Sequence, residues 1–141
     1  MAWVQEASTA LREAGYRPGS AGQLVLDHLA SQTCCVGAQE IHDALSRDGR
    51  RVGLASVYRM LEALTEQALV QRVDVGDGVA RYEPARRADH HHHLVCDECG
   101  KVEPFADRGL ERALEAVEER SGYSVIGHEV VVRGACADCR R

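Results

Sequence analysis

The chain has 141 residues, room for one ordinary domain or two very small ones. Its 17 Lys+Arg against 22 Asp+Glu leave a formal net charge of −5, which argues against a strongly basic coat for nucleic acid but leaves room for one local basic face. No stretch approaches the ~18 apolar residues of a membrane span. The start, Met1-Ala-Trp-Val-Gln-Glu6, has neither the basic run nor the long apolar segment of a secretory signal, so a cytoplasmic location is expected.

In chain order, the first ~84 residues read as helices ending in a hairpin. Val4, Ala7, Leu11 and Ala14 keep helical spacing up to Gly15. Ser20-Ala-Gly-Gln23 has the form of a capping box opening a second helix through Leu24, Leu26 and Leu29. A third helix is expected from Ala38 to Ser46, ended by Asp48-Gly49. The fourth runs from Leu54 to Gln67 with Leu54, Val57, Leu61 and Leu64 as its apolar stripe. Arg59 points away from that stripe, between Ala55 and Ala63. A long cation flanked by small neighbours suits insertion into a groove, and a solvated helix face is the alternative. Two alternating runs follow, Leu69–Val75 and Val79–Glu83, joined by Gly76-Asp77-Gly78, which supplies the positive φ of a tight turn. Helices followed by a two-stranded hairpin make the pattern of a winged helix-turn-helix, whose last helix enters the major groove.

Pro84 to Asp89 is short and polar and reads as a hinge. Beyond it, strands are expected around His92–Cys96 and Lys101–Pro104, a helix over 107–121 with Leu110, Ala113, Leu114 and Val117 inward, and a long strand from Tyr123 to Arg133. The fold class is therefore α+β: an N-terminal winged helix over 1–84, a hinge over 85–89, and a C-terminal α/β domain over 90–141.

Six cysteines in a chain with no export signal point to metal or redox chemistry. Cys96 and Cys99 form one C-x-x-C and Cys136 and Cys139 another. Two such turns complete a tetrahedron of thiolates around zinc with no open position, so the site is expected to be structural. Neither pair sits in the strand-to-helix turn of a redox dithiol. Upstream of Cys96 stand His90, His91, His92 and His93. On a strand these alternate, His91 and His93 on one side and His90 and His92 on the other, so one run can feed two metal sites. His128 shares a strand face with Ile126 and Val130, and Glu111 sits at the edge of its helix's apolar stripe, where it could point inward. A solvated polar strand, and for His128 a satisfied core histidine, are the alternatives.

Gly53-Leu-Ala-Ser-Val-Tyr-Arg59, His90-His-His-His-Leu-Val-Cys-Asp-Glu-Cys-Gly100 and Cys136-Ala-Asp-Cys139, in this order, resemble the ferric uptake regulator family of metal-dependent transcription repressors over nearly the whole chain. The resemblance implies a homodimer that binds operator DNA through its winged helices and dimerises through its C-terminal domain. Carried over by position, Cys96, Cys99, Cys136 and Cys139 fall on a structural zinc site. His90, His92, Glu111 and His128 fall on a second site in the dimerisation domain. Cys35, Glu83, His91 and His93 fall on the sensing site, with Cys34 a bystander. Ser56, Tyr58 and Arg59 become DNA contacts, with Arg50 and Arg51 on phosphates.

A thiolate with two imidazoles favours zinc at the sensing site, with iron or manganese as alternatives. Zinc-sensing members usually place a cysteine just before the histidines, where this chain has Ala85. Arg17-Pro-Gly-Ser-Ala-Gly-Gln23 lacks the Thr and second basic residue that many members use on DNA. No H-E-x-x-H motif is present, and neither an enzyme nor a small-molecule substrate is expected. A zinc-storage module that binds no DNA is the rival from outside the family.

Overall fold

The computed structural model describes residues 2–86 and 90–140, and the expected hinge therefore falls largely on residues 87–89, outside the described residues. The chain divides into two compact units, Met1–Ala88 and Asp89–Arg141.

In the first unit, helices α1 (Ala2–Glu13), α2 (Gly19–Ser31), α3 (Ala38–Arg47) and α4 (Leu54–Glu66) stand with strands β1 (Val36–Gly37), β2 (Val70–Asp74) and β3 (Ala80–Pro84). The sheet order is β1-β3-β2, all antiparallel, and the β2–β3 hairpin forms the wing. One hydrophobic core runs from Trp3 to Val70, with Leu11, Leu26, Leu29, Ile41, Val57 and Leu64 fully buried. Trp3 Nε1 donates to the Leu69 carbonyl at 3.0 Å, which ties the first helix to the turn between α4 and β2. Helices α2 and α4 approach closely at Gly22: a Cβ there would stand 2.5 Å from both Met60 Cε and Pro18 Cβ.

Three local expectations change. Helix α2 begins at Gly19, so Ser20 is inside it, and Pro18, with φ already helical at −60°, stands at its N-cap. Gln23 Nε2 bonds Asp27 Oδ1 at 3.0 Å instead of closing a capping box. A reach-back of that kind occurs at α3, where Glu40 Oε1 accepts from Gly37 N at 3.2 Å. Ala63 is buried, not beside Arg59 on the outer face, because the apolar side of α4 is wide enough to include it and Met60.

In the second unit, β4 (His92–Cys96) pairs antiparallel with β5 (Val102–Phe105) and parallel with β6 (Val131–Gly134), giving the order β5-β4-β6. Helix α5 (Arg108–Ser121) starts at Asp107, whose Oδ1 accepts from Leu110 N at 2.9 Å. It ends at Gly122, whose φ of +72° is the left-handed conformation glycine adopts most easily. No residue of α5 is buried, and Val117, Tyr123, Val125 and Ile126 are exposed. The long strand expected over 123–133 shrinks to Val131–Gly134, since Tyr123–Gly127 find no ladder partner among the described residues. Apolar residues that alternate without a partner strand within the chain are the physical reason. No helix among the described residues is long and apolar enough to cross a membrane.

Candidate metal centres and nucleic-acid face

The tight turns after β4 and β6 each present two cysteines, and the four sulfurs of Cys96, Cys99, Cys136 and Cys139 lie within 4.8 Å of one another. Cys96 Sγ accepts from the backbone N–H of Cys99 at 3.4 Å and of Cys136 at 3.3 Å. These donors draw its thiol down to about 6, as a metal-binding thiolate requires. Cys139 moves the other way, up to about 12, because thiols of Cys136 and Cys96 crowd it. Four adjacent sulfurs cannot all ionise without a counter-charge. The donor set, all thiolate and closed, fits a structural zinc ion.

At the start of β4, His92 is almost fully buried, 1% exposed, against Phe105 and α5. Its Nε2 lies 2.5 Å from Glu111 Oε1, and His128 Nε2 lies 2.7 Å from Glu111 Oε2. His90 Nε2 completes the group, 3.1 Å from His128 Nε2 and 3.5 Å from Glu111 Oε1. Helix α5 therefore carries one carboxylate to the point where three imidazoles converge. The hydrogen bond to His92, then that to His128, holds the Glu111 carboxyl below its ordinary value against the opposing effect of desolvation. Three imidazole nitrogens and a carboxylate are donors for a borderline divalent cation.

The other two histidines of the run, His91 and His93, place their rings 5.0 Å apart, and one nitrogen of each lies within 4.8 Å of the other. In the first unit, Glu83 on β3 accepts from Gln71 Nε2 at 3.3 Å. Cys34 Sγ lies within 4.8 Å of a Glu83 carboxylate oxygen and 3.9 Å from Cys35 Sγ. Cys35, the thiol expected at the sensing site, is buried at 6% exposure, while Cys34, taken for a bystander, is only half-buried. The hydrogen bond with Cys34, burial and the Glu83 charge all hold the Cys35 thiol well above its ordinary value. Which of two adjacent thiols meets Glu83 is set by the bend at residues 33–34, which hydrophobic patterning does not encode.

The exposed face of α4 carries Tyr58, 54% exposed, and Arg59, whose Nη2 donates to Ser56 Oγ at 3.0 Å. Beside it an open cleft of about 610 Å³ is lined by Arg50, Arg51, His42 and Ser46 and reaches Gly53 at the start of α4. Two guanidinium groups beside a helix N-terminus make this side of the unit electropositive. His42 and Ser46 were not expected there; they lie on α3, and the turn that ends it, with Arg50 N bonded to the Leu45 carbonyl, brings Arg50 and Arg51 beside them.

A model of the ferric uptake regulator family matches residues 13–133, and the chain belongs to that family of metal-responsive regulators. The ferric uptake regulation protein of Legionella pneumophila is 34% identical over 136 residues, 96% of this chain and 99% of the relative. The zinc uptake regulation protein of Mycobacterium tuberculosis is 37% identical over 105 residues, 73% of this chain and 78% of that protein. The crystal structure of the Vibrio cholerae ferric uptake regulator matches with a TM-score of 0.81 at 28% identity, covering 92% of this chain and 98% of the other.

Proposed function

We propose that the protein is a zinc-responsive transcriptional repressor that binds operator DNA as a homodimer and controls metal-uptake genes. The observation that carries the reading is the split donor set. A thiol and a carboxylate, Cys34 and Glu83, are paired in the DNA-binding unit, and two imidazoles, His91 and His93, are paired in the other. Cys34 takes the place expected of Cys35 because it is the thiol beside Glu83. When bound, zinc supplies a Lewis-acid centre that thiolate, imidazole and carboxylate all satisfy, and one sulfur with two nitrogens favours it over iron or manganese. The similarity to a zinc uptake regulation protein supports that choice, while similarity to ferric uptake regulation proteins keeps iron as the competing reading.

The four side chains act by joining the units. Held to one ion, Cys34 and Glu83 cannot move independently of His91 and His93, and the spacing of the two recognition helices in a dimer narrows to one value. A 100-fold gain in operator affinity needs about 2.7 kcal/mol of preference for that arrangement. Arg59 and Tyr58 then face base edges, Ser56 steadies Arg59, and Arg50 and Arg51 face phosphates. The uncovered apolar residues of α5 and of 123–126 supply the surface for a second copy. The test is operator retardation titrated with zinc, iron and manganese on protein whose four-cysteine site is already filled. Zinc-dependent binding that chelation reverses is expected, and equal binding with and without metal overturns the reading.

A further inference from the structure

The adjacent thiols of Cys34 and Cys35 stand outside the four-cysteine cluster, and the mechanism above uses only one of them. Their sulfurs are 3.9 Å apart. A similar spacing between Cys99 and Cys136 belongs to a set of four sulfurs that closes around one ion. At residues 34 and 35 two sulfurs adjoin, and among the described residues Cys34, not Cys35, belongs to the donor group with Glu83. Cys35 is buried at 6% exposure, and Cys34 is partly exposed and reachable from solvent. An accessible thiol with a second thiol against it is the arrangement of an oxidisable cysteine and its resolving partner. The pair sits in a bend between α2 and β1, before the first ladder pairing at Val36, so side-chain rotation there breaks no strand hydrogen bond.

We propose that Cys34 and Cys35 form a reversible vicinal disulfide when a hydroperoxide reaches Cys34, and that this oxidation removes the sulfur donor from the sensing site and releases the operator. The inference rests on the assignment of Cys34 to that site. In the first step Cys34 sulfur attacks the peroxide, the O–O bond breaks, and Cys34 sulfenic acid and an alcohol (water, for hydrogen peroxide) are formed. In the second, Cys35 sulfur attacks the sulfenic sulfur, the S–S bond forms, and the hydroxyl leaves as water with the Cys35 proton. Two electrons pass from the two thiols to the peroxide. The sulfurs must close from 3.9 Å to the ~2.05 Å of a disulfide; because neighbouring Cα atoms stand only ~3.8 Å apart, the 34–35 peptide must twist as the χ1 angles rotate, which a bend outside the ladder permits. A bound ion shields Cys34, so the metal-free sensing site is the form that oxidises. The regulator then responds to zinc and to peroxide through one sulfur.

Trypsin makes the test direct, because cleavage after Arg12 and Arg47, with the Arg17–Pro18 bond resistant, leaves residues 13–47 as one peptide holding both thiols and no other cysteine. The full-length protein, zinc in its four-cysteine site and its sensing site empty, is treated with hydrogen peroxide, and the peptide is weighed without reduction. Loss of two hydrogens, reversed by dithiothreitol, is expected. Zinc affinity at the sensing site should fall by on the order of tenfold or more, since losing a ligand costs at least as much as losing its outer support. Cys35→Ala, treated with peroxide in the same way and not reduced, should show no loss of two hydrogens and should instead carry a Cys34 sulfenic acid that dimedone traps as an adduct on the 13–47 peptide. A wild-type peptide that keeps both hydrogens while operator binding is lost overturns the switch, and so does a disulfide that leaves zinc affinity unchanged. Failure of the underlying assignment reads differently: Cys34→Ser would then bind operator with wild-type zinc dependence under reducing conditions, whatever the peptide mass.

Discussion

Removing the structural zinc should unfold the second unit and leave the first intact. Among the described residues, the extended core ends at Val70, and within one chain the only buried apolar residues beyond the hinge are Val95 and Cys96. Full burial of such a side chain contributes about 1.5–3 kcal/mol, against about 1–2 kcal/mol of entropy for each backbone residue fixed. Two such residues cannot order β4, β5, β6 and α5. A four-thiolate zinc site contributes about 10–16 kcal/mol, and it joins the turn after β4 to the turn after β6 where apolar packing does not. The perturbation is Cys136→Ser, or exhaustive chelation under reducing conditions. Hydrogen exchange read by mass spectrometry should show loss of amide protection through β4, β5 and α5, with protection retained in α1 to α4. The single Trp reports the same division, since Trp3 is buried in the first unit and bonded to Leu69, and its emission should not shift. Protection of β4 persisting in fully zinc-free protein would refute the reasoning, as would a shift in Trp3 emission concurrent with zinc loss.

Arg59→Ala should cost about 1–3 kcal/mol of discrimination between operator and scrambled DNA, whereas Arg50→Ala should weaken both alike and lower the salt slope by about 1; competition binding across a salt series separates the two. Gly22→Ala should lower the thermal midpoint of the first unit, because overpacking against Met60 and the rigid Pro18 ring, about 1–3 kcal/mol, outweighs the gain of about 1 kcal/mol from helix propensity. In the wing, the Val79 N–H, with Arg81, holds the Asp77 carboxyl below its ordinary value. That contribution is present above about pH 4 and is lost as pH falls through the lower folded value, so Asp77→Asn should flatten this part of the acid-unfolding curve.

What could be read from the residues was whatever depends on spacing within one element or one turn. The apolar stripe of α4 defines the outward side that carries Arg59, and alternation along the histidine run separates His92 from His91 and His93. The two C-x-x-C turns announce the four-sulfur cluster through their spacing. Features that depend on a partner were hidden. Tyr123–Val130 has the alternation of a strand, yet a ladder needs a second strand, and among the described residues this stretch is paired only from Val131 to Gly134. Glu111 and His128 could be suspected as ligands, but only the packing of α5 on the sheet brings the carboxylate to 2.5 and 2.7 Å from two imidazoles. The choice between Cys34 and Cys35 turns on one bend, a matter of a few backbone torsions, and the start of α2 on the fixed φ of Pro18.

In the proposed repressor a thiolate of the first unit and imidazoles of the second share one ion whose binding tightens the grip on DNA. Cobalt(II), added to protein already carrying zinc in its four-cysteine site, tests it in a single titration with labelled operator present. A sulfur-to-cobalt charge-transfer band should rise together with operator affinity and be absent in Cys34→Ser. A band that survives in Cys34→Ser, or operator affinity that rises with no sulfur bound to cobalt, would contradict it.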